Sequence, residues 1–293
     1  MSAVLHTTVV AEPVAGYRLS LRRFARNKLA VAGLAVVVLF LLFCFVGPLL
    51  YSTDQTHTDL TQVNLAPGGA HLLGTDAVGH DELGRLMYGG KISLLVGLAS
   101  GLLATVIGTL WGAVAGYAGG WVDAVMMRVV DAGIAIPALF ILLVVSAITS
   151  PGALGLIVIL GLVSWLVPSR LVRAETLTLK NRDYVLTLRA TGGTHGRAIL
   201  RHILPNSVST IVVAATFQVA DAILLVAYVS YLGLGVQPPS TDWGGMLSAG
   251  LTAAHSGRWW LIVPPGLAII LVVCAFNAIG DGLRDAFDVR GRG

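Results

Sequence analysis

Few side chains in this sequence could do chemistry, and their spacing argues against most of it. His195 and His202 stand seven residues apart, two helical turns, which is too far for a metal clip within one turn. The chain contains no G-x-x-x-x-G-K-[ST] phosphate loop, no G-x-S-x-G, no H-E-x-x-H and no paired-cysteine metal site. Cys44 and Cys274 both fall in apolar runs far apart in the chain and read as small buried hydrophobes, not as a disulfide. No catalytic residue, metal site or cofactor is therefore expected. Two features remain. Asp221 interrupts a long apolar run with Gln218 one turn before it, on a similar helical face. A carboxylate at mid-bilayer costs roughly 3 kcal/mol on insertion scales, so such a group usually faces a partner or a wet cavity. The pair could line a solute path; equally, Asp221 could pair with an internal basic group or sit protonated. The second feature is the stretch YVLTLRATGGTHGRAILRHILPN, residues 184–206, where arginines crowd around a Gly-Gly pair and a Leu-Pro. It carries nothing that reacts unaided, which suits an element that docks.

The elements that must position these residues are membrane helices. Hydrophobic residues make up 56% of the 293-residue chain and charged ones 12%, with a mean hydropathy of +0.83, more apolar surface than a soluble core absorbs. A bilayer-spanning helix needs about 20 apolar residues. Runs of that kind predict an all-α polytopic protein with six spans, near 29–50, 92–117, 132–149, 153–168, 207–235 and 260–281. Ser150-Pro151-Gly152 supplies the turn between the third and fourth. No span shows the alternation of a membrane barrel strand. Of the 19 Lys and Arg, sixteen fall on the side shared by both termini and only Arg85, Lys91 and Arg258 on the other. That bias places both termini and the basic stretch in the cytoplasm. It also accounts for the net charge of +4 with no nucleic-acid partner. Residues 1–28 hold no apolar core of a cleavable signal, so the first span reads as an anchor.

The expected organisation is a tail at 1–28, a first helix and external loop at 29–91, a core of five helices at 92–281 with a cytoplasmic loop at 169–206, and a tail at 282–293. The external loop is acidic, through Asp54, Asp59, Asp76, Asp81 and Glu82. Such a face would suit a cationic or zwitterionic ligand, although a solvated charge run is the commoner meaning. In the second span Gly97 and Gly101, then Gly108, Gly112, Gly116 and Gly120, recur at four-residue intervals. That stripe lets another helix approach closely, within the bundle or across a subunit interface. In the cytoplasmic loop a helix is expected over Leu171–Ala190, stopped by Gly192-Gly193. Thr194 caps a second helix whose apolar face holds Ile199, Leu200, Ile203 and Leu204. Pro205 marks the entry to the fifth span.

Tyr184-Val185, Arg189-Ala190-Thr191-Gly192 and Arg201-His202-Ile203-Leu204-Pro205-Asn206 resemble the cytoplasmic loop of the inner-membrane permease subunits of bacterial ATP-binding-cassette importers, in particular the C-type subunit of dipeptide, oligopeptide and nickel systems. That family's loop reads Glu-Ala-Ala, three residues, Gly, nine residues, Ile-x-Leu-Pro, which places Gly192 at the glycine. Here Leu186-Thr187-Leu188 stands at Glu-Ala-Ala and His202 at the Ile position. The resemblance continues through Arg22-Arg23-Phe24 to Ala30, through His71-Leu72-Leu73-Gly74-Thr75-Asp76 with Gly79, Asp81, Arg85 and Gly89, and through Ile92 to Gly97. It resumes at Tyr231 to Pro239 with Trp243-Gly244, and at Phe276-Asn277 with Gly280 to Asp285. Val226 stands where the family often has an acidic residue.

The resemblance implies the type I ABC importer permease fold and a subunit that is not itself an enzyme. It implies residues Arg189, Ala190, Thr191, Gly192, Gly193, Thr194, His195, Gly196 and Arg197 as the coupling helix seated in an ATPase. Its implied partners are a second homologous permease, two ATP-binding-cassette ATPases, an extracytoplasmic solute-binding protein, a peptide substrate and the lipid of a bacterial inner membrane. Gln218, Asp221 and Asn277 are the expected path-lining residues. Nickel or nickel-chelate uptake is the alternative within the family. An ion-coupled carrier would want several intramembrane ionisable groups, where this chain offers Asp221 alone, and a membrane-embedded hydrolase would want a His at mid-span.

Overall fold

The computed structural model describes residues 16–53 and 58–287. Asp54, Arg290 and Arg292, counted above with the loop acids and the tail bases, lie outside them. The described residues are helical apart from loops and a single bridge between Thr75 and Asp81. Helix α1 (Gly16–Arg26) leads to α2 (Lys28–Phe45), which begins where the Asn27 side chain accepts from the backbone N–H groups of Leu29 and Ala30. One further turn, α3 (Gly47–Leu50), follows. Helix α4 (Glu82–Ala118) is 37 residues long, N-capped by Asp81, whose Oδ1 accepts from Gly84 N at 2.8 Å. It ends at Gly119 with φ +66°, a left-handed turn that glycine adopts without a Cβ penalty.

Then come α5 (Gly120–Ile134) and α6 (Ala138–Thr149), bent by 73° at Pro137, and α7 (Ala153–Ser164) with α8 (Leu166–Leu179), bent by 45°. After α9 (Asp183–Ala190), α10 (His195–Ala198) and α11 (Leu204–Asn206), the chain returns in α12 (Val208–Tyr231), α13 (Trp243–Leu251) and α14 (Val263–Phe287). Four helices are long and apolar enough to cross a bilayer, and six crossings result when each bent pair counts as one.

Several expected boundaries move, for physical reasons. The second crossing starts at Glu82, ten residues before the expected 92. The charges that marked this stretch as loop are accommodated in the helix: Arg85 pairs with Asp76 at 2.8 Å, Glu82 is buried, and the Lys91 ammonium sits 5.6 Å from the Phe45 ring centroid. The third and fourth crossings, expected at 132–149 and 153–168, extend to 120 and 179. Four of their six extra charges pair off, Asp123 with Arg173 and Asp131 with Arg170. The final helix runs to Phe287, into the expected tail.

Helix α4 is the axis of the bundle, and the glycine stripe is how its neighbours reach it. A Cβ on Gly101 would stand 2.8 Å from Val219 Cα of α12, one on Gly108 2.6 Å from Trp165 O, and one on Gly116 2.8 Å from Thr176 Cβ of α8. The stripe therefore serves packing within this chain, between α12 and α8. Gly120 is the exception: it starts α5, and a Cβ there would meet nothing.

On the side of the bundle opposite α9–α11, Trp243 plugs the core. Its indole N–H donates to Leu86 O at 3.0 Å, its backbone N–H donates to Ser93 Oγ at 3.1 Å, and the side chain is wholly buried. Asp242 caps α13 through Oδ1, which accepts from Gly245 N at 3.0 Å, while Oδ2 has no hydrogen-bond partner. Burial pushes the Asp242 carboxyl above its ordinary value, tempered by the N–H groups of Gly245, Gly244 and Val236 and by nearby Ser230, whose Oγ misses hydrogen-bond geometry. A carboxyl with a pKa higher folded than unfolded favours the fold most at low pH, and that contribution fades as pH rises through the folded-state value. Asn caps a helix as well as Asp and carries no charge. Asp242→Asn is therefore expected to raise the melting temperature at neutral pH, with a gain that shrinks as pH falls toward about 4. Thermal unfolding across that range in detergent checks it; an unchanged or lower melting temperature at neutral pH contradicts it.

Candidate functional site

The basic stretch forms a helical hairpin at one end of the bundle. The single helix expected over 171–190 is two, α8 and α9, separated at Lys180–Arg182. No glycine or proline announces this break. Lys180 makes the junction by turning back, its Nζ donating to Gly116 O at 2.8 Å and satisfying a carbonyl at the end of α4. The turn at Gly192 is as expected, with φ +82°, and Thr194 caps α10 by accepting from Arg197 N at 3.4 Å. Beyond it, residues 199–203 widen into a turn in which Leu204 N donates to Ile199 O. In a regular helix the Pro205 ring would collide with the carbonyl of residue 201, and the wide turn relieves that clash. Pro205 consequently lies inside a helical turn instead of interrupting the chain.

The hairpin has a rooted base and a bare tip. Val185, Ala198, Ile203 and Leu179 pack with Tyr117 of α4 in a separate small core. The His195 ring meets Tyr117 edge-on at 5.5 Å, and His202 lies against Tyr184 at 6.2 Å. At the tip, Arg189, Ala190, Thr191, Gly192, Thr194, His195, Gly196 and Arg197 are exposed, and Gly193 is half-buried against Leu188. Leu186 and Leu200 add exposed apolar surface beside them. Sequence reasoning identified the tip but missed Tyr117 and Lys180, because their partners are supplied by tertiary contact. Val226 is buried in an apolar cluster with Val96, Leu142 and Leu156.

Midway along the bundle, α5, α6, α7, α8 and α12 line an open cavity of about 380 Å³. Helix α12 contributes Gln218, Asp221 and Tyr228, and the Gly133–Pro137 break and Ser164 form the facing wall. The structure brings Gln218 and Asp221 together in this space. It leaves Asn277 out: that residue is half-buried on α14 and does not line the cavity. The acidic loop before α4 is largely self-satisfied. Asp76 holds His80 and Arg85, and Asp81 accepts from Tyr51 and faces His71, whose other ring nitrogen faces Gln62. Those acids brace the loop onto the start of α4.

An all-helical polytopic bundle with a rooted, solvent-facing hairpin defines a membrane permease architecture. Residues 108–293 match the family model described as binding-protein-dependent transport system inner membrane component. Residues 17–67 match the N-terminal transmembrane domain of oligopeptide transport permease C. The chain is 44% identical over 272 residues to a Brucella suis protein with a provisional peptide-permease name, covering 92% of this chain and 90% of that protein. It is 39% identical over 267 residues to the dipeptide transport system permease protein DppC of Bacillus subtilis, covering 91% and 83%, and 38% identical over 266 residues to that organism's oligopeptide transport system permease protein OppC, covering 91% and 87%. The chain belongs to the inner-membrane permease family of binding-protein-dependent transport systems.

Proposed function

We propose that this chain is one half of the membrane pathway of an ATP-driven peptide importer, and that the hairpin is its coupling element. The bare tip at 189–197 on a base anchored to α4 carries this reading, and the peptide-transport names of its relatives favour peptides over nickel. In this reading the hairpin and both termini face the cytoplasm. Two ATPases grip the tips of this chain and of a second, homologous permease, and a solute-binding protein delivers peptide on the opposite face. Hydrolysis belongs to the ATPases; this chain supplies the lever. A push on the tip passes through Tyr117 and Lys180 into α4 and, across the glycine contacts, into α8 and α12, so the bundle answers as a block.

The shape of the tip is the testable part. A Cβ at Gly192 meets nothing, but φ +82° penalises a β-branched residue by about 1–2 kcal/mol. In the assembled transporter, Gly192→Val is expected to lower uptake about tenfold, equivalent to ~1.4 kcal/mol, while ATP turnover persists. Gly196→Ala, in helical backbone with open space around it, should preserve coupling. Wild-type uptake per ATP in Gly192→Val vesicles would remove the hairpin from the mechanism.

A further inference from the structure

We propose that the cavity beside Asp221 is a way-station for an organic cation, namely the N-terminal ammonium of the passing peptide, with Asp221 as its ion partner and Gln218 as a hydrogen-bond acceptor. The peptide identity of the cation rests on the function proposed above; the cation site itself rests on the geometry.

Four observations converge on positive charge. Asp221 is exposed into the cavity and makes no hydrogen bond or ion pair among the described residues. No Lys, Arg or His lines the space, so its one charge is uncompensated. Gln218, only 7% exposed, likewise makes no hydrogen bond within the described chain although it lines the cavity, and Ser164 Oγ in the opposite wall is buried without a partner. A hydroxyl buried that deeply is nearly always satisfied, which marks Ser164 as awaiting a ligand, and the Gln218 amide opens into the same space. Finally, α5 ends at the cavity. Pro137 has no N–H to give, and none of the carbonyls of residues 134–136 accepts a backbone hydrogen bond among the described residues. A helix C-terminus carries roughly half a negative charge, so it reinforces the carboxylate.

The walls select the kind of cation. A divalent metal would require several oxygens in a fixed shell, whereas one carboxylate, one amide and apolar walls from Ile134, Val163 and Leu224 suit an ammonium on an aliphatic stem. Tyr228, half exposed one turn beyond Leu225, adds an aromatic ring to the same lining, of a kind that suits a cation. A single open carboxylate also holds its guest weakly, as transit requires.

The experiment uses the assembled transporter in proteoliposomes, with Cys274→Ala removing the exposed thiol and Leu225→Cys placing a reporter in the cavity wall; Cys44 is buried. Butylammonium chloride and trialanine are expected to slow maleimide labelling of the reporter about tenfold. N-acetyl-trialanine should give no protection, Asp221→Asn should abolish the protection by butylammonium, and Asp221→Glu should restore it. Equal protection by the free and acetylated tripeptides, or protection that survives Asp221→Asn, overturns the proposal. So does loss of the second permease from the Asp221→Asn complex, which would mean that the carboxylate pairs across the subunit interface. If the wild-type complex imports no peptide yet butylammonium protects in an Asp221-dependent way, the cation site stands and the peptide reading falls. If peptide is imported and protection ignores Asp221, the reverse holds.

Discussion

Gly112→Leu is expected to abolish the folded subunit, the largest effect of any single change considered. A Cβ at this position would meet Ser169 O and stand 2.9 Å from Arg173 N, both backbone atoms of α8 that no rotamer change can move. Overpacking costs about 1–3 kcal/mol where neighbouring side chains can shift. Here the whole of α8 must retreat, by more than an ångström for Ala and several for Leu. Lipid does not drive helices together as water does, so association depends on the close packing itself. Prying α8 away also strains the Arg173–Asp123 pair one turn further along. Gly112→Ala should already lower the melting temperature, and Gly112→Leu should leave no monodisperse protein in detergent. Gly152→Ala, at φ −71° with open space around the Cβ, should behave as wild type. Normal elution and uptake from Gly112→Leu would refute the α4–α8 contact.

The glycine stripe was legible because it is a local regularity, and a four-residue interval fixes one helix face before any partner is known. The same holds for Gly192 and Thr194, whose conformational and capping roles depend on near neighbours. Gln218 and Asp221 were legible as a pair for a similar reason, being one turn apart. What the sequence hid is what long-range partners decide. Asp123 and Asp131 read as loop charges because a hydropathy window registers a charge without its mate, and the mates lie 50 and 39 residues away. The break at Lys180–Arg182 carries no breaker residue; it falls where Lys180 reaches back to the carbonyl of Gly116, a contact that local sequence does not reveal. Asn277 does not join Gln218 and Asp221 in the cavity because periodicity does not set the rotation of α14, which is fixed by packing against α2 and α12.

Breaking the Arg173–Asp123 pair is the second change expected to cost heavily, and the two halves should not cost the same. Arg173 Nε and Nη2 donate to the two carboxylate oxygens of Asp123 at 2.5 and 2.6 Å, a bidentate fork across 50 residues of sequence. Its net worth against an apolar pair is small, since both charges were taken from water, but removing one partner strands the other. Asp123 is short and its side chain only 12% exposed, so Arg173→Met leaves a carboxylate with little access to water; a loss of about 3 kcal/mol is expected. Asp123→Asn leaves an arginine already 32% exposed, long enough to carry its charge outward, and should cost about 1 kcal/mol. The double change Asp123→Asn with Arg173→Met should recover most of the stability, losing only about 1 kcal/mol and giving a coupling term of ~3 kcal/mol in a double-mutant cycle read by thermal unfolding. Additive losses would mean that the two side chains act separately. The tie also has a mechanical consequence. It joins α8, which leads into the hairpin, to α5, whose far end borders the cavity at Gly133 and Ile134. With stability restored but the fork gone, a transporter assembled with the double variant should, on the function proposed above, keep its partners' ATP turnover and import less peptide per ATP, because the cavity wall no longer follows the hairpin.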